Sequence, residues 1–266
     1  MTSGKIGVIG TGNMGSAIVR GLIANGVCEQ GQVSVFDADP LKTESFGKEG
    51  LHVADSVEEI GETVETVIIA VKPSTVTEVL SELAQTPVTT LVISVAAGVT
   101  TQAIEDVLPD HPVVRVMPNT PCMIGAGASG ITRGTKARDE HVRKALEIMG
   151  ALGYAVEVPE SLMDAVTGLS ASGPAYVAVM IDALMQGGVR MGIPRPVALR
   201  LAAQTVYGSA KMIIDRGLEP TALRDMVTSP GGTTAEGLMA LEASAFRYAI
   251  IDAVEAATVR SQELGE

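Results

Sequence analysis

Short β-rich runs alternate with helical patterns over the first 160 residues. A glycine-rich turn directly follows the first run, and the second half has no convincing strand. Together these features predict an α/β fold. The expected architecture is an N-terminal doubly wound sheet over residues 1–160, followed by an all-α C-terminal domain over residues 161–266. A chain of this length can bury a core in each part.

Lys5–Ile9 is the first apolar run. Behind it, Ser16–Asn25 places Ile18, Val19, Leu22 and Ile23 on one helical face. Val33–Phe36 is the second run and ends in Asp37-Ala38-Asp39-Pro40. Val67–Val71 is ended by Lys72-Pro73, Leu91–Val95 by Ala96-Ala97-Gly98, and Val113–Met117 by Pro118. Val76–Ala84 and Thr101–Leu108, between the runs, suit helices. Runs of Val and Ile separated by helices predict a parallel sheet covered on both faces. From Leu162 onward, segments 162–191, 195–215, 221–228, 234–243 and 246–263 read as helices. Pro174 lacks a backbone donor, so a break is expected near Ser172-Gly173.

Apolar residues make up 46% of the chain and charged residues 19%, a globular composition. Mean hydropathy is positive. This calls for a wholly buried long helix or for apolar surface covered by a partner subunit. A net charge of −12 repels a phosphate backbone and argues against a nucleic-acid partner. An anionic cofactor must then be held by local N–H groups and a few placed cations. Cys28 and Cys122 form no CxxC pair and read as reduced thiols of a cytoplasmic protein. His52, His111 and His141 are scattered, so no metal site is expected. No signal peptide is legible. The best membrane candidate, Ala175–Leu184, is broken by Asp182, so no span is expected.

Gly10-Thr11-Gly12-Asn13-Met14-Gly15 matches G-x-G-x-x-G between a strand and a helix. In a Rossmann-type domain the first glycine permits a tight turn. The second lets the backbone approach a pyrophosphate, and the third lets helix and strand pack closely. Ile9 through Met14 are therefore expected at a dinucleotide, with the helix N-terminus offering N–H groups and partial positive charge. Asp37 ends the second strand, where an acid accepts hydrogen bonds from the adenosine ribose. No arginine stands nearby in sequence, so Asp37 read alone favours NADH over NADPH. A solvated turn residue is the alternative, and Asp39 can instead cap the next helix. Ala70, Val71, Lys72 and Pro73, and Ala96, Ala97 and Gly98, end two further strands, where ligands bind in open α/β sheets. Lys72 either faces the cofactor or keeps its ammonium in water.

Motif order adds a resemblance. Ala70-Val71-Lys72-Pro73, Ala96-Ala97-Gly98-Val99-Thr100 and Met117-Pro118-Asn119-Thr120-Pro121 come first. Asp164–Ser170, Ser172-Gly173-Pro174-Ala175-Tyr176 and Leu223–Thr234 follow. In this order they resemble the pyrroline-5-carboxylate reductase family, from Ile6 to about Leu264. The resemblance implies reduction of Δ1-pyrroline-5-carboxylate to L-proline, the last step of proline biosynthesis, with NADPH or NADH. It also implies helices interlocked in a homodimer, an active site at the dimer interface, and dimers that often assemble into decamers. It adds Asn119 to the cofactor residues. The substrate carboxylate is expected at the loop Ser229–Thr234, on backbone N–H groups of Gly232, Thr233 and Thr234. The Thr234 hydroxyl is expected at the ring nitrogen and Glu160 near the substrate, with a plain loop carboxylate as the alternative for Glu160. Physically the loop suits an anion, because Ser-Pro-Gly-Gly interrupts two helices; an ordinary cap by Thr233 is the alternative. Met226 stands where some relatives carry asparagine, and Ala171 where many carry glycine. Asp37 and Ala38 replace small polar or basic residues.

A β-hydroxyacid dehydrogenase requires a lysine on the long helix after the sheet domain, and Ser172–Gly188 has none. A non-catalytic NAD(P)-binding regulator has no use for the Ser229–Thr234 loop.

Overall fold

The computed structural model describes residues 4–87 and 90–265. In chain order the first elements are β1 (Ile6–Ile9), α1 (Asn13–Ala24), β2 (Val33–Phe36), α2 (Pro40–Lys48), β3 (His52–Val53) and α3 (Val57–Thr63). Then come β4 (Thr66–Ile69), α4 (Val76–Leu83), β5 (Leu91–Ser94), α5 (Thr101–Glu105), β6 (Val113–Met117), β7 (Gly127–Arg133), α6 (Asp139–Gly150) and β8 (Gly153–Glu157). The helical part comprises α7 (Met163–Val166), α8 (Gly173–Arg190), α9 (Arg195–Arg216), α10 (Pro220–Met226), α11 (Thr233–Ala243) and α12 (Phe246–Gly265).

The chain divides into two compact units: Met1–Ser172 with Ala256–Glu266, and Gly173–Glu255. This division falls further along the chain than residue 160 and returns the end of α12 to the first unit.

In the first unit the strand order is β3-β2-β1-β4-β5-β6-β7-β8. β1 pairs in parallel with both β2 and β4, so the chain reverses its direction of growth there. Alternate residues serve opposite faces, as a pleated strand requires. Ile6, Val8, Val35, Ile68 and Ile93 pack with Ile18 and Leu22 of α1 and Ile148 of α6. Ile9, Val67, Ile69 and Val92 pack with Ile60 of α3, Leu80 of α4 and Ile104 of α5. Each such side chain, fully buried, contributes about 1.5–3 kcal/mol. The helices start where side chains accept their free N–H groups. Asp39 accepts from Leu41, Ser56 from Glu59 and Thr100 from Ala103, at 3.1, 3.2 and 3.1 Å.

The sheet departs from the sequence expectation at both edges. The five expected strands are present, and β3, β7 and β8 are added. β7 runs antiparallel to β6, with Val116 opposite Ile131. The expected break near Ser172-Gly173 lies slightly earlier, as a π turn over Thr167–Ala171. There the Ser172 N–H donates to the Thr167 carbonyl at 2.9 Å. Pro174 leaves the Ser170 carbonyl without its helical donor, and the Asn119 side chain supplies one at 3.0 Å.

In the second unit, Met185 of α8 packs with Ala198 and Ala202 of α9, beside Ile181 and Ile193. Most other large apolar side chains of its helices are exposed, among them Val179, Leu201, Ile214 and Met239. The helical run Glu160–Arg190 is less interrupted than the sequence expectation held. It has 31 residues and is apolar enough by length and composition to cross a membrane. Asp182 does not interrupt it, because the helix continues on both sides.

Candidate active site

The glycine loop joins β1 to α1, at the carboxyl end of the strand where growth of the sheet reverses. Gly10 has φ +93°, and a Cβ there would meet the Ala70 carbonyl carbon at 2.8 Å. A Cβ on Gly15 would collide with the Gly10 carbonyl oxygen. Beside Gly12, by contrast, nothing lies within 4 Å of the Cβ position. Gly12 caps α1 without a side chain, and the first amide to bond back is that of Ser16, to the Gly12 carbonyl at 2.9 Å. Among the described residues, the Asn13 and Met14 amides have no acceptor. Open space, unpaired amides and the positive end of a 12-residue helix fit a pyrophosphate.

Asp37 turns back onto this loop. Its Oδ2 accepts from the Thr11 N–H at 2.8 Å and the Thr11 hydroxyl at 3.3 Å. Its Oδ1 accepts from the Asp39 N–H at 3.0 Å and Lys42 Nζ at 3.2 Å. Burial pushes the Asp37 carboxyl up, but the Asp39 and Thr11 N–H groups and the Lys42 ammonium outweigh it and hold the pKa below the usual value. Asp37 is thus no solvated turn residue, and Asp39 caps α2 alongside it. Sequence reasoning missed Lys42, which the first turn of α2 brings within reach of Asp37.

The strand ends Pro73 and Ala97-Gly98 line a cavity of about 520 Å³, together with Thr167, Ser172, Arg260 and Leu264. Ala97 is exposed beside it, while Ala96 is buried beneath. Ala70 and Val71 back the glycine loop through Gly10. Lys72 is exposed, its head in water, and it makes no ion pair among the described residues. The Asn119 side chain is committed to the protein. Its Nδ2 donates to the Ser170 carbonyl, and its Oδ1 accepts from the Ala128 N–H at 2.9 Å. It ties β7 and the π turn to the end of β6, leaving its backbone as the part that can face a cofactor.

Glu160 has a partner that the sequence did not reveal. Arg115, in mid-β6, is buried and donates to Glu160 Oε1 at 2.6 Å. The Thr101 N–H at the start of α5 donates to the same oxygen at 3.3 Å. Glu160 thus balances a buried cation.

In the second unit, Ser229-Pro230-Gly231-Gly232 closes a turn in which the Gly232 N–H donates to the Ser229 carbonyl at 3.0 Å. Pro at the second position and a glycine with φ +67° at the third are the type II pattern. This corrects the expected set of free amides. Gly232 is spent on the turn and serves as the N-cap of α11, so Thr233, Thr234 and Ala235 carry the unpaired N–H groups. Thr233 is the first helical residue and makes no side-chain cap. The half-buried Thr234 hydroxyl has no hydrogen-bond partner among the described residues.

A glycine loop of this kind at the reversal of a doubly wound sheet defines the class of NAD(P)-binding proteins. Comparisons narrow the class. Residues 160–264 match the family described as pyrroline-5-carboxylate reductase dimerisation, and residues 5–98 match NADP oxidoreductase coenzyme F420-dependent. The chain is 46% identical to a pyrroline-5-carboxylate reductase of Methanosarcina acetivorans, covering all of both chains. It is 44% identical to one of Synechocystis, covering 98% of each. A solved pyrroline-5-carboxylate reductase from Coxiella burnetii superposes with a TM-score of 0.95 at 35% identity over the whole of both chains. The Plasmodium falciparum pyrroline carboxylate reductase, solved with NADP bound, gives 0.89 at 31%, again over both whole chains. The chain belongs to the pyrroline-5-carboxylate reductase family. The matched dimerisation region contains the apolar run Glu160–Arg190 and the exposed side chains of α8 and α9, which supports a homo-oligomer.

Proposed function

We propose that this chain reduces Δ1-pyrroline-5-carboxylate to L-proline, completing proline biosynthesis, with the substrate carboxylate on the Thr233, Thr234 and Ala235 amides and the Thr234 hydroxyl at the ring nitrogen. The observation that carries this reading is the unpaired N-terminus of α11 beside an uncommitted Thr234 hydroxyl. It shares a chain with the glycine loop of the first unit. When bound, reduced nicotinamide supplies the hydride that adds to the carbon of the C=N bond. A protonated imine accepts hydride readily, so the protein's work is anchoring and orientation.

Each residue then has a place. Ile9 through Met14 cradle the pyrophosphate and Asp37 lies at the adenosine ribose. Ala70–Pro73, Ala96–Gly98 and the Asn119 backbone border the nicotinamide half. Ser229 closes the turn that frees the substrate amides. Glu160 supports the site through Arg115. The helical domain serves both dimerisation and substrate binding, dimers assemble further as decamers, and the enzyme works in the cytoplasm. Two buried free cysteines support a reducing compartment.

The substrate test removes the carboxylate. 1-Pyrroline keeps the C=N bond and cannot engage the α11 amides. Loss of a single charge-assisted hydrogen bond, about 1.5 kcal/mol, already lowers kcat/KM at least about 10-fold. Equal kcat/KM for the two imines would remove the substrate from this loop.

A further inference from the structure

We propose that Asp37 and Lys42 act as one cofactor-selecting pair, in which Lys42 binds the 2′-phosphate of NADP(H) and Asp37 binds the ribose hydroxyls of NAD(H), so that the chain uses both. The proposal rests on the dinucleotide reading of the first unit. The end of β2 is where the adenosine ribose lies in this architecture. An acid there, read alone, excludes a 2′-phosphate by like charge. The structure changes that balance by setting an ammonium 3.2 Å from the same carboxylate.

The four donors on Asp37 are not equivalent. A carboxylate has about four acceptor positions, and here all are taken. Thr11 and Asp39 hold theirs through the glycine loop and the turn before α2. Lys42 alone reaches Asp37 on a long flexible stem, and its side chain is 49% exposed while that of Asp37 is 10% exposed. Lys42 is therefore the donor that yields. Ribose hydroxyls of NAD(H) donate to Oδ1 and release the ammonium. The 2′-phosphate of NADP(H) draws the ammonium onto itself and leaves Asp37 held by Thr11 and Asp39. Neighbouring cations are already engaged. Arg20 pairs with Glu49 at 3.0 Å and lies over the Phe46 ring, and Lys48 pairs with Glu44 at 2.5 Å. The Asp37 carboxyl stays ionised through the neutral range, so the pair works by charge and not by protonation.

The test measures binding of NADP⁺ and NAD⁺ by calorimetry to the wild-type chain, Lys42→Met, Lys42→Arg and Asp37→Ser, with kcat/KM for both reduced cofactors alongside. Lys42→Met should weaken NADP⁺ about 10-fold and strengthen NAD⁺, because the phosphate loses its cation and Asp37 is freed. Lys42→Arg should restore NADP⁺. Asp37→Ser should shift both in the opposite sense to Lys42→Met. NADP⁺ binding should fall more steeply with salt in the wild type than in Lys42→Met. Equal changes for the two dinucleotides in Lys42→Met, or none, would overturn the pair. A wild-type chain that binds neither would overturn the dinucleotide site itself, and the pair with it.

Discussion

A Gly12→Val variant is expected to lose measurable affinity for NAD(P)H while keeping its fold. The backbone at Gly12 is extended, φ −65° and ψ −164°, with none of the left-handed conformation that bars a side chain. Among the described residues, its chain neighbours aside, nothing lies within 4 Å of the added Cβ, so a side chain there starts into open space. Valine at an N-cap costs about 1 kcal/mol, a small part of a domain's stability. The space it fills is the approach to the unpaired Asn13 and Met14 amides, where the pyrophosphate must come within hydrogen-bond distance. Calorimetry with NADPH and NADH reads the first half of this expectation and thermal melting the second. Wild-type affinity in the variant would move the cofactor away from the loop.

Thr234→Ala is the second large effect. The substitution removes the hydroxyl assigned to the ring nitrogen and keeps the Thr234 N–H. A hydrogen bond to a charged group is worth about 1.5–3 kcal/mol, so kcat/KM should fall roughly 10- to 150-fold. Cofactor affinity should hold, since the glycine loop belongs to the other unit. Thr233→Ala is the control. Thr233 starts α11 without capping it, so its loss should be close to neutral in both activity and melting temperature. Equal losses of activity in the two variants, tracking their melting temperatures, would make the loop a helix junction only.

What the sequence made legible follows from how local each feature is. Strands β1, β2, β4, β5 and β6 are runs of Val and Ile buried on both faces, and their composition marks them. β7, Gly-Ala-Ser-Gly-Ile-Thr-Arg, and the partly exposed β8 lack that composition and owe their conformation to pairing. The helices of the second half were legible to within a few residues because Pro and Gly punctuate them. Pro174 pointed to the π turn but not to its partner, since Asn119 lies 51 residues before Ser170. The glycine loop could be read in full, as its geometry is set by six consecutive residues. The Arg115–Glu160 pair spans 45 positions and needs the sheet to form first. Lys42 is only five positions from Asp37, yet the contact depends on the angle at which α2 leaves β2. The free amides of α11 lie one residue later than expected, because the turn uses the Gly232 N–H.

The central claim is that this chain moves a hydride from a nicotinamide onto the C=N bond of pyrroline-5-carboxylate. The most direct measurement follows the absorbance of NADPH or NADH with purified protein and that imine, and assays the product for proline. The account predicts oxidation of the cofactor that depends on the imine and yields one proline per hydride consumed. Cofactor binding without turnover, or turnover with a β-hydroxyacid substrate in place of the imine, would contradict it.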